Sequence, residues 1–135
     1  MTAFEGREFP VFCIDSYGWI EYFTGGRLAE KYAALIEGMP SSNCIVPSIV
    51  FFEVYKRIKG RLGSDAATQA VCVMLLHAQP VNVDEGLVLL AADISLEHGL
   101  GMTDALIKAS CEQCGAVLVT SDKHFKGMKG VKFVE

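Results

Sequence analysis

A chain of 135 residues, 51% of them hydrophobic and with a positive mean hydropathy, is long enough to bury a real core in one domain without disulfide staples. Its net charge of −4 excludes a protein that holds nucleic acid by bulk positive charge, and no stretch approaches the roughly 18 uninterrupted apolar residues of a membrane span. Residues Met1 to Pro10 carry acids and no apolar signal core, so a single soluble, cytoplasmic domain over 1–135 is expected.

Val11-Phe12-Cys13-Ile14 is a short unbroken apolar run, the pattern of a strand buried on both faces of a parallel sheet, and it delivers Asp15 to its carboxyl end. Open α/β sheets bind ligands at that edge, which makes Asp15 a site candidate, with Ser16 as a helix cap behind it. A short helix over Ser16 to Phe23 stops at Thr24-Gly25-Gly26, and Leu28, Tyr32, Leu35 and Ile36 give a second helix, Arg27 to Glu37, one apolar face. Cys44-Ile45-Val46 reads as the second strand. Ser48 then caps a helix to about Lys59, in which Glu53 stands among Ile49, Phe52 and Val54, ahead of Lys56, Arg57, Lys59 and Arg61. Those cations are either a solvated face or a phosphate-contacting edge beside Glu53.

Asp65 to His77 reads as a helix with Ala66, Ala70, Val73, Met74 and Leu76 inward, Pro80 to Val83 as the third strand, and Asp84 to His98 as a long helix ended by Gly99 and Gly101. Thr103 as N-cap places Asp104 in the first turn of a helix through about Cys114. Ala116 to Val119 is a buried strand that brings Thr120, Ser121 and Asp122 to its carboxyl end, and after a turn to Gly127 an edge strand covers Val131 to Val134. The alternation predicts a three-layer α/β/α sandwich with a largely parallel sheet of four or five strands.

Asp15, Glu53, Asp104 and Asp122 come from distant parts of the chain, yet each is placed at or over the sheet's carboxyl rim. Two like charges 4 Å apart repel by roughly 4 kcal/mol at an effective dielectric near 20, so such a group either stays protonated in part or binds a cation. Oxygen donors alone point to Mg²⁺ or Mn²⁺. Any one of these acids is as readily a helix cap; the joint placement is what points to a metal. The five cysteines read as reduced core residues. Cys111 and Cys114 form a C-x-x-C, but at the end of a helix rather than its start and without further ligands at matching spacing, which is a structural pattern.

Four pieces in this order, Cys13-Ile14-Asp15-Ser16 followed by Trp19-Ile20-Glu21-Tyr22, Pro47-Ser48-Ile49-Val50-Phe51-Phe52-Glu53-Val54, Thr103-Asp104-Ala105-Leu106-Ile107, and Leu118-Val119-Thr120-Ser121-Asp122-Lys123-His124-Phe125, resemble the PIN domain ribonucleases, in particular the VapC-type toxins of toxin–antitoxin pairs. The resemblance spans Phe12 to Phe133. It implies a PIN-like fold, an acidic site of Asp15, Glu53, Asp104 and Asp122 with Thr120 as supporting hydroxyl, and hydrolysis of RNA phosphodiesters by a water activated on Mg²⁺ or Mn²⁺. It also implies pairing of two copies and an antitoxin that covers the acidic rim. Setting the four acids aside leaves the rest of the chain neutral, so Lys56, Arg57, Lys59, Lys123 and Lys126 are candidates to bind the RNA backbone. His124 is either an acid near neutral pH or a surface residue; Tyr17, Trp19, Tyr22 and Phe23 either stack on bases or pack. Tyr17-Gly18-Trp19 and Lys108-Ala109-Ser110 depart from the family's usual residues, and Gly18 is expected to loosen its helix.

Three other readings compete. A phosphate-accepting receiver domain finds partial counterparts in Asp84, Thr120 and Lys132, but Ile14 stands where a second acid is needed, and Glu53, Asp104 and Asp122 stay unexplained. A D-x-D phosphatase fails because position 17 is Tyr. A non-catalytic binding module on the same fold ranks below the nuclease because all four acids are present.

Overall fold

The computed structural model describes residues 10–135; apart from Pro10, the segment Met1 to Pro10 lies outside them. Five strands, β1 (Val11–Ile14), β2 (Cys44–Pro47), β3 (Gln79–Val81), β4 (Ala116–Thr120) and β5 (Val131–Phe133), form one parallel sheet in the order β3-β2-β1-β4-β5. The central positions go to the most apolar runs. Successive β2 residues Cys44, Ile45 and Val46 are all essentially inaccessible, so both faces of the sheet are covered. The outer strands are short and partly exposed, and Pro80, which has no N–H to donate, sits on one of them. The third strand is thus displaced from the expected span: Val83 is exposed beyond it.

Among the described residues six helices flank the sheet: α1 (Ser16–Thr24), α2 (Ala29–Gly38), α3 (Ser48–Leu62), α4 (Ser64–His77), α5 (Glu85–His98) and α6 (Met102–Cys114). None is long and apolar enough to cross a membrane. The predicted three-layer α/β class is the observed one. Three caps differ from expectation. Asp15 itself, not Ser16, caps α1 by accepting from the Gly18 N–H at 3.3 Å. Pro47 and Gly101 precede α3 and α6, where Ser48 and Thr103 were expected to cap. The Ser48 hydroxyl instead donates to the Val81 carbonyl at 3.1 Å, tying α3 to β3.

On α4 the buried face is Ala67, Ala70 and Met74, while Leu76 is 75% exposed. The helix is apolar nearly all round, so periodicity alone leaves its phase open. Cys72 lies on the exposed side of the same helix, the one cysteine outside the expected core.

Gly18 does not loosen α1. It is buried, and a β-carbon there would stand 2.6 Å from Tyr32 Cδ1 and 2.7 Å from Ile14 Cγ2. The missing side chain lets α1 approach β1 and the fully buried Tyr32 of α2. Gly18→Ala is therefore expected to cost about 1–3 kcal/mol through overpacking, although alanine is the better helix former; urea denaturation of the two proteins measures it.

Candidate active site

The strand order reverses between β1, whose connections run on to β2 and β3, and β4, which runs on to β5. A crevice opens at the carboxyl ends of two strands that diverge in this way. The register pairs Ile14 with Val119, so the next residues, Asp15 and Thr120, are neighbours at its floor. The Asp15 N–H donates to the Val119 carbonyl at 3.2 Å, and the Thr120 hydroxyl donates to Asp15 Oδ2. That hydroxyl also accepts from the Asp122 N–H at 2.9 Å, so one threonine positions two of the predicted acids. Beneath them the indole Nε1 of Trp19 donates to the Ile14 carbonyl at 3.1 Å. Trp19 is fully buried and stacks on Phe23, so it is an anchor for the site's floor and not a base-stacking surface.

Asp104 lies in the first turn of α6 and Asp122 caps the 3-10 turn Lys123–Phe125 by accepting from the His124 N–H at 2.9 Å. His124 Nδ1 lies 3.0 Å from Asp104 Oδ2 and 3.3 Å from Asp122 Oδ1. Glu53 stands on α3, half-buried, over the same rim. The four carboxyls act on one another. Burial raises Asp15 to about 7; hydrogen bonds from Thr120 and Gly18 oppose the rise, and the charges of Asp122 and Glu53 add to it. Burial also raises Glu53, against the Ser16 hydroxyl and Arg57 and together with Asp104 and Asp122. Asp104 is raised by burial and by Asp122, with His124 opposing. His124 is raised in turn, first by its hydrogen bond to Asp104.

These residues fit a divalent cation. Glu53 Oε1 is buried with no hydrogen-bond partner among the described residues, an arrangement that costs about 1–3 kcal/mol unless something occupies it. Donor atoms of Asp104, Asp122 and His124 all lie within 4.8 Å of one another.

The cations divide. Lys56 and Arg57 line a cleft of about 390 Å³ together with Ser16, Phe52, Glu53 and Arg61. Lys59 lies over the Tyr55 ring, and Lys126 pairs with Glu135 at 3.2 Å over Phe133. Lys123 is exposed on the 3-10 turn. Sequence reasoning missed the roles of Gly18 and Trp19, and the hydrogen bond of Tyr32 Oη with Ser121 Oγ at 2.6 Å, which ties α2 to the segment between Thr120 and Asp122.

Residues 12–131 match the family model of the PIN domain. The chain belongs to the PIN domain family. Solved structures agree on the fold. A toxin–antitoxin complex from Klebsiella pneumoniae superposes with a TM-score of 0.74 at 22% identity, covering 90% of this chain and 95% of that one. A sarcin–ricin loop cleaving VapC toxin from Mycobacterium tuberculosis gives 0.71 at 17%, covering 85% and 91%. A DNA-bound VapBC complex from Salmonella typhimurium gives 0.71 at 16%, covering 93% and 98%. Among curated proteins nothing matches.

In this PIN domain the raised Asp15 carboxyl has a thermodynamic consequence. Between its ordinary value of 3.8 and about 7 the folded state holds a proton that the unfolded state has lost, so stability is greatest below that window and falls as pH rises through it. The Asp15 contribution to the fall is on the order of 4 kcal/mol. Asp15→Asn is expected to flatten the decline and to melt above wild type at pH 8 in EDTA, with a residual slope from Glu53 and Asp104; thermal unfolding from pH 4 to 8 measures it.

Proposed function

We propose that this PIN domain is a divalent-metal-dependent endoribonuclease acting as the toxin of a toxin–antitoxin pair in the cytoplasm, with 1–135 folding as one domain. The observation that carries the reading is the set of four mutually coupled carboxyls at the β1–β4 crevice, one of them with an unpartnered buried oxygen. Asp15, Asp104 and Asp122 hold Mg²⁺ or Mn²⁺ directly and Glu53 holds it through water or at a second ion, consistent with the few protein ligands that Mg²⁺ accepts. Such an ion supplies Lewis acidity toward a phosphate and toward water.

The chain's own groups do the positioning. Thr120 locks the Asp15 carboxylate and the Asp122 backbone in one register. Lys56 and Arg57, in the cleft beside Glu53, bind backbone phosphates and set the strand across the rim, with Lys59, Lys123 and Lys126 as outer contacts. Phe52, 59% exposed in the same cleft, offers a face for a base.

The antitoxin partner is supported by the toxin–antitoxin complexes among the structural neighbours, and it would cover the acidic rim with a basic side chain. Pairing of two copies is supported by exposed apolar residues on α5 and α6, where Val88 and Met102 border a groove of about 290 Å³. The receiver reading loses ground: Asp84 caps α5 by accepting from the Leu87 N–H at 2.9 Å beyond edge strand β3, Lys132 lies on the opposite edge strand, and Thr120 is engaged with Asp15.

Purified protein is expected to cut RNA with Mg²⁺ or Mn²⁺, to leave 5′-phosphate ends, and to stop in EDTA. Glu53→Gln and Asp104→Asn should each lower the rate about 100-fold or more with the circular dichroism spectrum unchanged. Cleavage that persists in EDTA, or in both variants, overturns the proposal.

A further inference from the structure

Among the described residues His124 is the nitrogen donor grouped with the carboxylates of Asp104 and Asp122, and its position is built rather than incidental. The neighbouring Phe125 is fully buried and fixes the 3-10 turn, while Asp122 Oδ1 accepts from the His124 N–H. From that fixed backbone the ring reaches across to α6. Its Nδ1 stands 3.0 Å from an Asp104 oxygen and 3.3 Å from an Asp122 oxygen, two carboxylates on separate elements.

Those separations are informative. Ligand bonds of about 2.1–2.2 Å put adjacent donors of an octahedron about 3.0 Å apart, so Nδ1 stands at the spacing of a neighbouring ligand from each of the two carboxylate oxygens, and all three donors lie within 4.8 Å of one another. A second observation belongs to the same rim: Glu53 Oε1 is buried with no hydrogen-bond partner among the described residues, and the charges of Asp104 and Asp122 both act on that carboxyl.

We infer that His124 is a direct ligand in a mixed nitrogen and oxygen centre with Asp104 and Asp122, and that it makes the site prefer Mn²⁺ to Mg²⁺. Imidazole favours transition metals over the hard Mg²⁺ ion, which is satisfied by carboxylate and water alone. The inference rests on the proposed metal site and adds a ligand and a selectivity to it. The Asp104 side chain remains 21% exposed and the His124 side chain 73% exposed, so an ion reaches the three donors from solvent without opening the fold.

The test uses the full chain and Mn²⁺ itself. Pulsed EPR of the Mn²⁺-loaded protein should show nitrogen hyperfine modulation that disappears in His124→Gln and persists in His98→Gln, the histidine that borders the neighbouring hollow with Asp104. Calorimetric titration should show wild type binding Mn²⁺ at least tenfold tighter than Mg²⁺, with His124→Gln losing about tenfold in Mn²⁺ affinity and little in Mg²⁺ affinity. Bound Mn²⁺ without the nitrogen signal, or with a signal that survives in His124→Gln, overturns the inference while leaving a carboxylate nuclease centre intact. Tighter Mn²⁺ binding by the variant also overturns it, identifying His124 as a counter-charge that competes with the ion. Absence of any Mn²⁺ binding overturns both the inference and the proposed metal site.

Discussion

The structure depends on one seam, the junction of β1 and β4, where a buried aspartate meets a threonine hydroxyl. Asp15 is almost inaccessible, and a carboxylate in that setting is unfavourable without strong hydrogen bonds. Thr120 and the Gly18 N–H provide them, and each draws in more of the chain. Thr120 carries Asp122 with it, while Gly18 requires α1 to lie close against β1 and Tyr32. Trp19 closes the arrangement from below by capturing the carbonyl of the residue before Asp15. The floor of the candidate site and a large part of the core are therefore the same set of contacts.

Crowding these acids at one rim destabilises the metal-free fold, since burial and neighbouring carboxylates raise the proton affinities of Asp15, Glu53 and Asp104. Placing reactive charge where it is unfavourable is the usual relation between a site and its scaffold. Here the opposition is local: the cationic cleft of Lys56, Arg57 and Arg61 adjoins Glu53, so counter-charge stands beside the rim.

Much of this was legible in the sequence because strong local patterns agree with the global architecture. Short apolar runs ending in Asp15 and Thr120-Ser121-Asp122 identified the two strands whose ends form the crevice, and glycines marked the helix ends. What escaped was interaction across elements. Gly18 looks like a helix weakener until Tyr32 is known to fill the space a β-carbon would take. Trp19 reads as either a stacking or a packing aromatic, and only the bond of its indole to β1 shows the anchoring role. The phase of α4 was illegible because apolar residues lie on both of its sides, Ala67, Ala70 and Met74 buried and Leu75 and Leu76 exposed, and the caps of α3 and α6 were misassigned because a serine or threonine near a helix start need not use its hydroxyl there.

The strand that looks most dispensable is tied to the chemistry. The Val134 N–H donates to the Thr120 carbonyl at 2.8 Å, and Ser121 Oγ donates to the Val134 carbonyl at 2.6 Å while also meeting the Tyr32 hydroxyl. These bonds act like a clasp over the peptide units that aim Thr120 and Asp122. Trimming or remodelling β5 and its flank would thus slacken the rim from behind, making the outermost edge of the sheet a place where alteration reaches the acids without touching any of them.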